Sequence, residues 1–300
     1  MQKEGMNVVI IGAGRIGKTL GGILKKNNAR VSFWDVKRGL VARQKPLSQT
    51  LPEANFVFLC MPSWGYRSVL RRMKPHLPRH TIIVSLAKGI EPNLKTTVDV
   101  AVKKMFPRNP LCVFGGPMLA EEIEKGMAGI GVIASTQEEA SKSVCELFSN
   151  APLFLECSTD VFGTAIAGVL KNAYSLAFGV AEGLKWNNNA RGWLFSSAVR
   201  EMVRAGTVLG GRKETFEGLA GIGDFAACVF SSHSRHHKAG IELSQRGKCS
   251  VKNEGIASVP FLTKMLRKRR IEFSILFTLA RAVKDGRTTR RVFAKLAPWR

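Results

Sequence analysis

Two lysines stand where a folded chain seldom places them. Lys88 follows directly on the apolar run TIIVSLA, at the point where a buried strand would end. Lys171 sits inside VFGTAIAGVLKNAYSLAFGVA, residues 161–181, among Ala165, Ala167, Gly168, Ala173 and Ala177. An unpaired ammonium in such surroundings is costly, so Lys171 must meet an anion or a polar cavity. Burial by itself lowers a lysine's pKa and suits it to proton transfer. Further on, the glycines of AGIGD free the backbone around Asp224, and Ser234 and Arg235 then open another helical stretch. A hydroxyl, a guanidinium and a helix N-terminus together make a cradle for an anion, phosphate above all. His233, His236 and His237 crowd around Arg235. No acid adjoins them and the arginine repels a cation, so no metal site is expected.

The segment GAGRIG, Gly12 to Gly17, follows an apolar run and opens a helical one, which is the setting the dinucleotide fingerprint requires. Gly12 permits the tight turn, Gly14 lets the backbone approach a pyrophosphate, and Gly17 lets the helix pack on the sheet. Arg15 and Ile16 lie in the loop's helical arm, whose amides donate to the phosphates. Asp35 ends the second apolar run and suits the two ribose hydroxyls of NAD. NAD is therefore expected over NADP, although Lys37 and Arg38 follow at once and offset the repulsion of a 2′-phosphate.

The elements that must carry these residues can be read from residue patterning. Strands are expected at 7–12, 30–35, 55–60, 81–86, 111–116, 130–135 and 152–157, with amphipathic stretches between several of them. Such alternation predicts a parallel, doubly wound α/β sheet. After Cys157 the pattern turns helical, over roughly 159–184, 189–209, 223–246 and 256–285. Residues 1–157 are thus expected to form a dinucleotide-binding domain and residues 158–300 an all-α domain. The apolar stretch 161–181 is long enough to cross a bilayer, but a lysine at its centre would cost roughly 2.5–3.5 kcal/mol. A buried helix is the expectation.

The chain carries 46 basic and 22 acidic residues, and residues 264–300 alone hold 12 and 2. That basic tail favours anionic partners, and contact with nucleic acid or a membrane surface is the interaction-protein alternative to an enzyme. A solvated basic face explains the same charge. The six cysteines form no C-x-x-C pair and read as reduced thiols of a cytoplasmic protein. The opening run MNVVII is too short for a signal peptide.

Taken in order, GAGRIG, AKGIEP with Lys88, GGP at 115–117, LKNAYSLAFGVAEGL with Lys171, NAR at 189–191, AGIGD with Asp224 and SR at 234–235 resemble the soluble bacterial type of NAD(P)-dependent glycerol-3-phosphate dehydrogenase. The resemblance runs through nearly the whole chain. It implies a Rossmann-like domain followed by a helical domain like that of 6-phosphogluconate dehydrogenase. It also implies hydride transfer between NAD(P)H and dihydroxyacetone phosphate, giving sn-glycerol 3-phosphate for phospholipid synthesis, by a cytoplasmic homodimer. Carried over by position, Lys171 transfers the proton, with Lys88 and Asp224 at the reacting centre. Substrate contacts fall to Lys88, Gly116, Asn172, Ser234, Arg235 and His236. Lys88, Ala120, Arg235 and Glu254 join Gly12, Gly14, Arg15, Ile16, Gly17 and Asp35 as cofactor contacts.

The chain departs from the family at the rim. It has GGPM where Ser-Gly-Pro-Thr or Ser-Gly-Pro-Ser is usual, so Gly115 and Met118 lack two hydroxyls. His236 replaces an asparagine, SSAV at 196–199 replaces a stretch with an Arg-Gly pair, and the Asp35–Asn55 connection is shorter. Two alternatives to the family's reaction follow. One is reduction of another small phosphorylated or acidic ketone. The other is a weakly active cofactor-binding protein with a basic tail.

Overall fold

The computed structural model describes residues 5–231 and 234–299. The chain forms two compact units, one reaching to Ala165 and the other starting at Ile166, so the division falls inside the helix Val161–Gly183.

The first unit contains β1 (Asn7–Ile11), β2 (Arg30–Trp34), β3 (Phe56–Leu59), β4 (Ile82–Ser85), β5 (Ile90–Glu91), β6 (Thr96–Thr97), β7 (Leu111–Gly115), β8 (Gly129–Ala134) and β9 (Leu153–Ser158). All seven runs expected as strands belong to one sheet, ordered β2-β1-β3-β4-β7-β8-β9. Alternate residues of the central strands face opposite apolar layers. Val9, Ile11, Val57 and Leu59 pack with Tyr66, Val69 and Leu70 on one side, while Val8, Ile10, Phe56 and Phe58 pack with Leu20, Leu24 and Phe148 on the other. Both faces are thus covered, as a doubly wound sheet demands.

The sheet is parallel, as expected, in every pairing but one. β8 runs antiparallel to β7, with Val113 opposite Ala134 and Gly115 opposite Val132, and β9 then pairs parallel to β8. Gly116, at φ +93°, turns the chain as β7 ends. The return carries only the short helix Ala120–Glu124, so the chain comes back beside β7 instead of crossing a face of the sheet. The hairpin β5–β6 is a further addition, formed by residues too few for a strand pattern to reveal.

The second unit is helical, as its patterning predicts, but more finely divided. The 223–246 stretch splits into Asp224–Phe230 and Arg235–Arg246, and the 256–285 stretch into Glu254–Arg267 and Ser274–Lys284. The helices Val161–Gly183 and Arg235–Arg246 meet at their backbones. A Cβ on Gly179 would lie 2.0 Å from the His237 carbonyl oxygen, and one on Gly240 would lie 2.1 Å from that of Leu176. The basic C-terminal segment is folded. Phe293 is buried in the helix Thr289–Leu296, and Trp299 packs edge-on against Trp186 and Trp193, each at 5.3 Å between ring centroids.

Among the described residues, Val161–Gly183 is the one helix long and apolar enough to cross a membrane, and 89% of its most apolar window is buried.

Candidate active site

In the first unit the glycine loop is built from three glycines with different constraints. Gly12 has φ +106°, and a Cβ there would meet the Cys60 carbonyl oxygen at 2.6 Å. A Cβ on Gly17 would sit 2.0 Å from the Gly12 carbonyl oxygen. These two are required by the fold itself. Gly14 is not: its φ of −72° suits any residue, and nothing lies within 4 Å of a Cβ placed on it. It caps the helix Arg15–Lys26, whose first turn holds no acid and whose cap makes no side-chain hydrogen bond. An accessible helix N-terminus with a bare Cα before it fits a dinucleotide pyrophosphate.

Asp35 is tied to this loop. Its Oδ2 accepts from the Ala13 amide at 2.8 Å and its Oδ1 from the Lys37 amide at 2.8 Å. Gln44 braces the same residue by pairing with its backbone N–H and carbonyl. The carboxylate is therefore preset, with further lone pairs for ribose hydroxyls. Ile16 packs against the sheet core. The exposed Arg15 guanidinium pairs with Glu121 and lies 3.6 Å from Glu124, linking the Ala120–Glu124 helix to the loop. Ala120, a cofactor candidate, is buried at the start of that helix.

Lys88 leaves the carboxyl end of β4, where sheets of this kind bind ligands. Its Nζ donates to the Gly116 carbonyl at 2.9 Å, which brings two predicted site residues together. The strand end is held from below by the buried Tyr66. Its hydroxyl pairs with Ser85 Oγ at 2.8 Å and accepts from the Ala87 amide at 3.4 Å. Met118 packs against the sheet core, so the methionine fills apolar space where the family has a hydroxyl.

The second unit brings together a buried charge pair. Lys171 Nζ lies 3.0 Å from Asp224 Oδ1 and donates to Cys228 Sγ at 2.9 Å. The side chains of Lys171 and Asp224 are 6% and 4% exposed. Local chain geometry explains the arrangement. A single π-helical turn, Leu219–Gly223, delivers Asp224 to the first position of its helix, and such turns recur at functional sites. Cys228 follows four residues later on the same face. Burial alone pushes the Lys171 pKa down. The Asp224 charge, the Cys228 sulfur and the hydrogen bonds to both outweigh it and hold the ammonium above its usual range. The lowered pKa expected from burial is thereby corrected: the anion decides.

The anion cradle is present in part. Ser234 is buried and caps the helix Arg235–Arg246, its Oγ accepting from the His237 amide at 3.3 Å. Accepting leaves the hydroxyl's own proton available as a donor. The Arg235 side chain is exposed and makes no ion pair among the described residues. His236 is differently employed. Its Nδ1 lies 2.8 Å from Asn253 Oδ1, an oxygen that also accepts from the amides of Gly255 and Ile256. That oxygen is an acceptor, so His236 Nδ1 carries a proton and donates. Burial, Lys171 and Arg235 push the imidazole pKa down to about 3 against the Asn253 hydrogen bond and the Asp224 charge. This environment disfavours the imidazolium form of His236.

Asn172 is buried next to Lys171, and its carbonyl oxygen would be 2.9 Å from a Cβ on Gly255. Glu254 begins the helix Glu254–Arg267. His237 turns away from His236, with Nε2 3.2 Å from Glu182 Oε2. No metal-binding cluster forms among the described residues, and His233 lies outside them.

Two contributors escaped the sequence reading. Cys228 had a legible signal, its spacing of four from Asp224. Asn253 had none, because its contacts with His236 and with the Arg235 carbonyl, the latter at 3.2 Å, are tertiary.

Comparison with known proteins adds to this geometry. The N-terminal and C-terminal sequence models of NAD-dependent glycerol-3-phosphate dehydrogenase match residues 38–141 and 160–294. The glycine loop lies ahead of both matches and rests on its own geometry. A glycerol-3-phosphate dehydrogenase of the NAD(P)+ type from Acaryochloris marina is 36% identical over 239 residues, covering 79% of this chain and 76% of that one. The protein of the same description from Clostridium tetani is 30% identical over 282 residues, covering 87% and 80%. The crystal structure of glycerol-3-phosphate dehydrogenase from Coxiella burnetii superposes with a TM-score of 0.87 at 23% identity, over 98% of this chain and 100% of that one. A 2-dehydropantoate 2-reductase from Methylococcus capsulatus shares the fold more distantly, with a TM-score of 0.62 at 14% identity over 97% and 98%.

Proposed function

The chain belongs to the NAD-dependent glycerol-3-phosphate dehydrogenase family, and from that premise we propose that it reduces dihydroxyacetone phosphate to sn-glycerol 3-phosphate with NADH or NADPH, supplying phospholipid synthesis. The observation that carries this reading is the buried pair of Lys171 and Asp224 at 3.0 Å.

When bound, the nicotinamide supplies hydride to the ketone carbon or takes it back. The protein's own task is the charge that hydride transfer creates. An alkoxide develops on the former carbonyl oxygen, and a charged lysine both stabilises it and yields a proton to it. Lys171 is the proton donor in this reading, and Asp224 keeps it charged until the alkoxide forms. Cys228 fixes the ammonium from a second direction. Lys88, presented at the carboxyl end of β4, contributes a further positive charge to substrate and cofactor. Gly116 and Asn172 serve as further substrate contacts. Arg235, with the Ser234 hydroxyl and the helix N-terminus, takes the substrate phosphate, while Glu254 contacts the cofactor. Residues 1–157 act as the cofactor domain and 158–300 as the substrate domain.

Asp35, already oriented by the glycine loop, favours NADH. A homodimer in the cytoplasm completes the proposal. The folding of the basic tail onto Trp186 and Trp193 supports a solvated basic face over a nucleic-acid or membrane arm.

Met118 and His236 favour a second reading, in which the ketone is another small phosphorylated or acidic one, ketopantoate included. Oxidation of NADH and NADPH by the pure protein, with dihydroxyacetone phosphate and with such ketones, tests both readings. The expected result is the highest kcat/KM for dihydroxyacetone phosphate with NADH. A higher value for a ketone without phosphate transfers the assignment to the second reading, and a clear NADPH preference removes the role given to Asp35.

A further inference from the structure

Cys145 and Cys157 lie apart from everything assigned above. Cys145 is in the helix Glu138–Glu146 and Cys157 is on β9, at the edge of the sheet. Their Sγ atoms are 3.4 Å apart, and both thiols are free. We propose that this pair is a thiol–disulfide exchange site, which takes a small-molecule disulfide such as oxidised glutathione and closes to an internal disulfide.

The geometry needs little change. A disulfide bond is about 2.05 Å long, so the sulfurs must approach by a little over an ångström, a distance within the swing of side-chain rotation. The two residues sit on packed neighbours, a helix and the strand it covers, so the chain already holds them together. Their accessibility also differs in a useful way. Cys157 is exposed, Cys145 is partly buried, and a third thiol, Cys112, is buried within β7. An incoming disulfide therefore meets Cys157 first. Burial and the neighbouring Cys157 sulfur push Cys145 up to about 12, which suits a second attacker more than a first.

The exchange proceeds in two balanced displacements. The Cys157 sulfur, its proton lost to solvent, attacks one sulfur of oxidised glutathione. The glutathione S–S bond breaks, one glutathione leaves as thiolate and takes up a proton, and a mixed disulfide remains on Cys157. The Cys145 sulfur then gives up its proton and attacks the Cys157 sulfur. The mixed disulfide breaks, and the second glutathione leaves and is protonated. The two protein thiols are oxidised by two electrons, and one glutathione disulfide is reduced to two thiols. Cys112 takes no part, because no solvent reaches it.

The test uses the native full-length protein and three variants, Cys145→Ser, Cys157→Ser and the double variant, each incubated with oxidised glutathione. Iodoacetamide labelling and peptide mass spectrometry read the result. Wild type is expected to lose two alkylatable thiols, gain no glutathione mass, and yield a peptide joining residues 145 and 157. Cys145→Ser is expected to stop at a stable glutathione adduct on Cys157, and Cys157→Ser and the double variant to react far more slowly. Adding a reductant should restore both wild-type thiols. The proposal is overturned if wild type keeps glutathione on Cys157 without forming the cross-link. It is equally overturned if both thiols stay alkylatable, or if Cys157→Ser is modified as fast as wild type.

Discussion

Lys171 Nζ sits 3.0 Å from Asp224 Oδ1 in a setting that both side chains share almost without solvent. The carboxylate turns a lysine that burial would neutralise into one held charged above its usual range. Ketone reduction needs the charged form, so its rate should show no alkaline limb from Lys171 until the pH exceeds the ordinary lysine range. In Asp224→Asn the burial penalty faces weaker opposition, the Lys171 pKa falls, and an alkaline limb should enter at lower pH. Lys171→Ala should cut kcat by roughly 10²-fold or more, since general acid catalysis contributes about 10²–10⁴. The pH dependence of kcat for reduction checks all three, and a wild-type limb near neutrality that Lys171→Ala removes would sink the assignment.

The glycine loop separates folding from binding. Gly17→Ala forces a methyl to 2.0 Å from the Gly12 carbonyl oxygen and should destabilise the first unit. Gly14→Ala meets nothing within 4 Å and should leave the thermal midpoint unchanged while weakening NADH binding. Calorimetry for the cofactor, paired with thermal unfolding, distinguishes the two. Normal NADH affinity in Gly14→Ala would mean that the cofactor does not approach this loop.

At the anion cradle, Arg235→Ala should raise KM far more for dihydroxyacetone phosphate than for dihydroxyacetone. His236 should behave otherwise. With burial, Lys171 and Arg235 pushing its pKa down to about 3 against the Asn253 hydrogen bond, it stays neutral across pH 6–8. Wild type and His236→Asn should therefore give superimposable affinity–pH curves in that range. Divergent curves would show that substrate draws a proton onto the imidazole.

Stability should depend on Glu201. Its partly buried carboxylate accepts from the amides of Ile275 and Leu276 at 2.9 and 2.8 Å, and from the Tyr174 hydroxyl at 3.2 Å. It thus caps the helix Ser274–Lys284, which has no side-chain cap of its own. Glu201→Ala should cost about 1–3 kcal/mol, the penalty of buried donors left unpaired. Burial, outweighing those hydrogen bonds, raises the Glu201 pKa. The folded state then holds a proton that the unfolded state releases. Stability should fall as pH rises from the usual glutamate range through the raised value. Urea unfolding across weakly acidic pH should show this slope in wild type and a flatter one in Glu201→Gln.

The sequence alone determined the seven strands of the main sheet and the identity of most candidate residues. Seven apolar runs became seven strands because β-branched residues between helical stretches can be buried only in a sheet covered on both faces. The glycine loop, Asp35, Lys88 and Lys171 were legible because each breaks a local rule: glycine where side chains would clash, or charge at the end or centre of an apolar run. Tertiary structure alone decided how those residues are charged and held. The direction of the Lys171 pKa depended on Asp224 and Cys228, which lie far along the chain. The neutrality of His236 depended on burial and on the charges of Lys171 and Arg235, against the Asn253 hydrogen bond. The reversal at β8 depended on where the chain turned after Gly116, and Arg15 pairs with Glu121. Local patterning reports whether a group is buried; a pKa or a hydrogen bond also depends on which distant partner shares that burial, and chain order does not carry that distance.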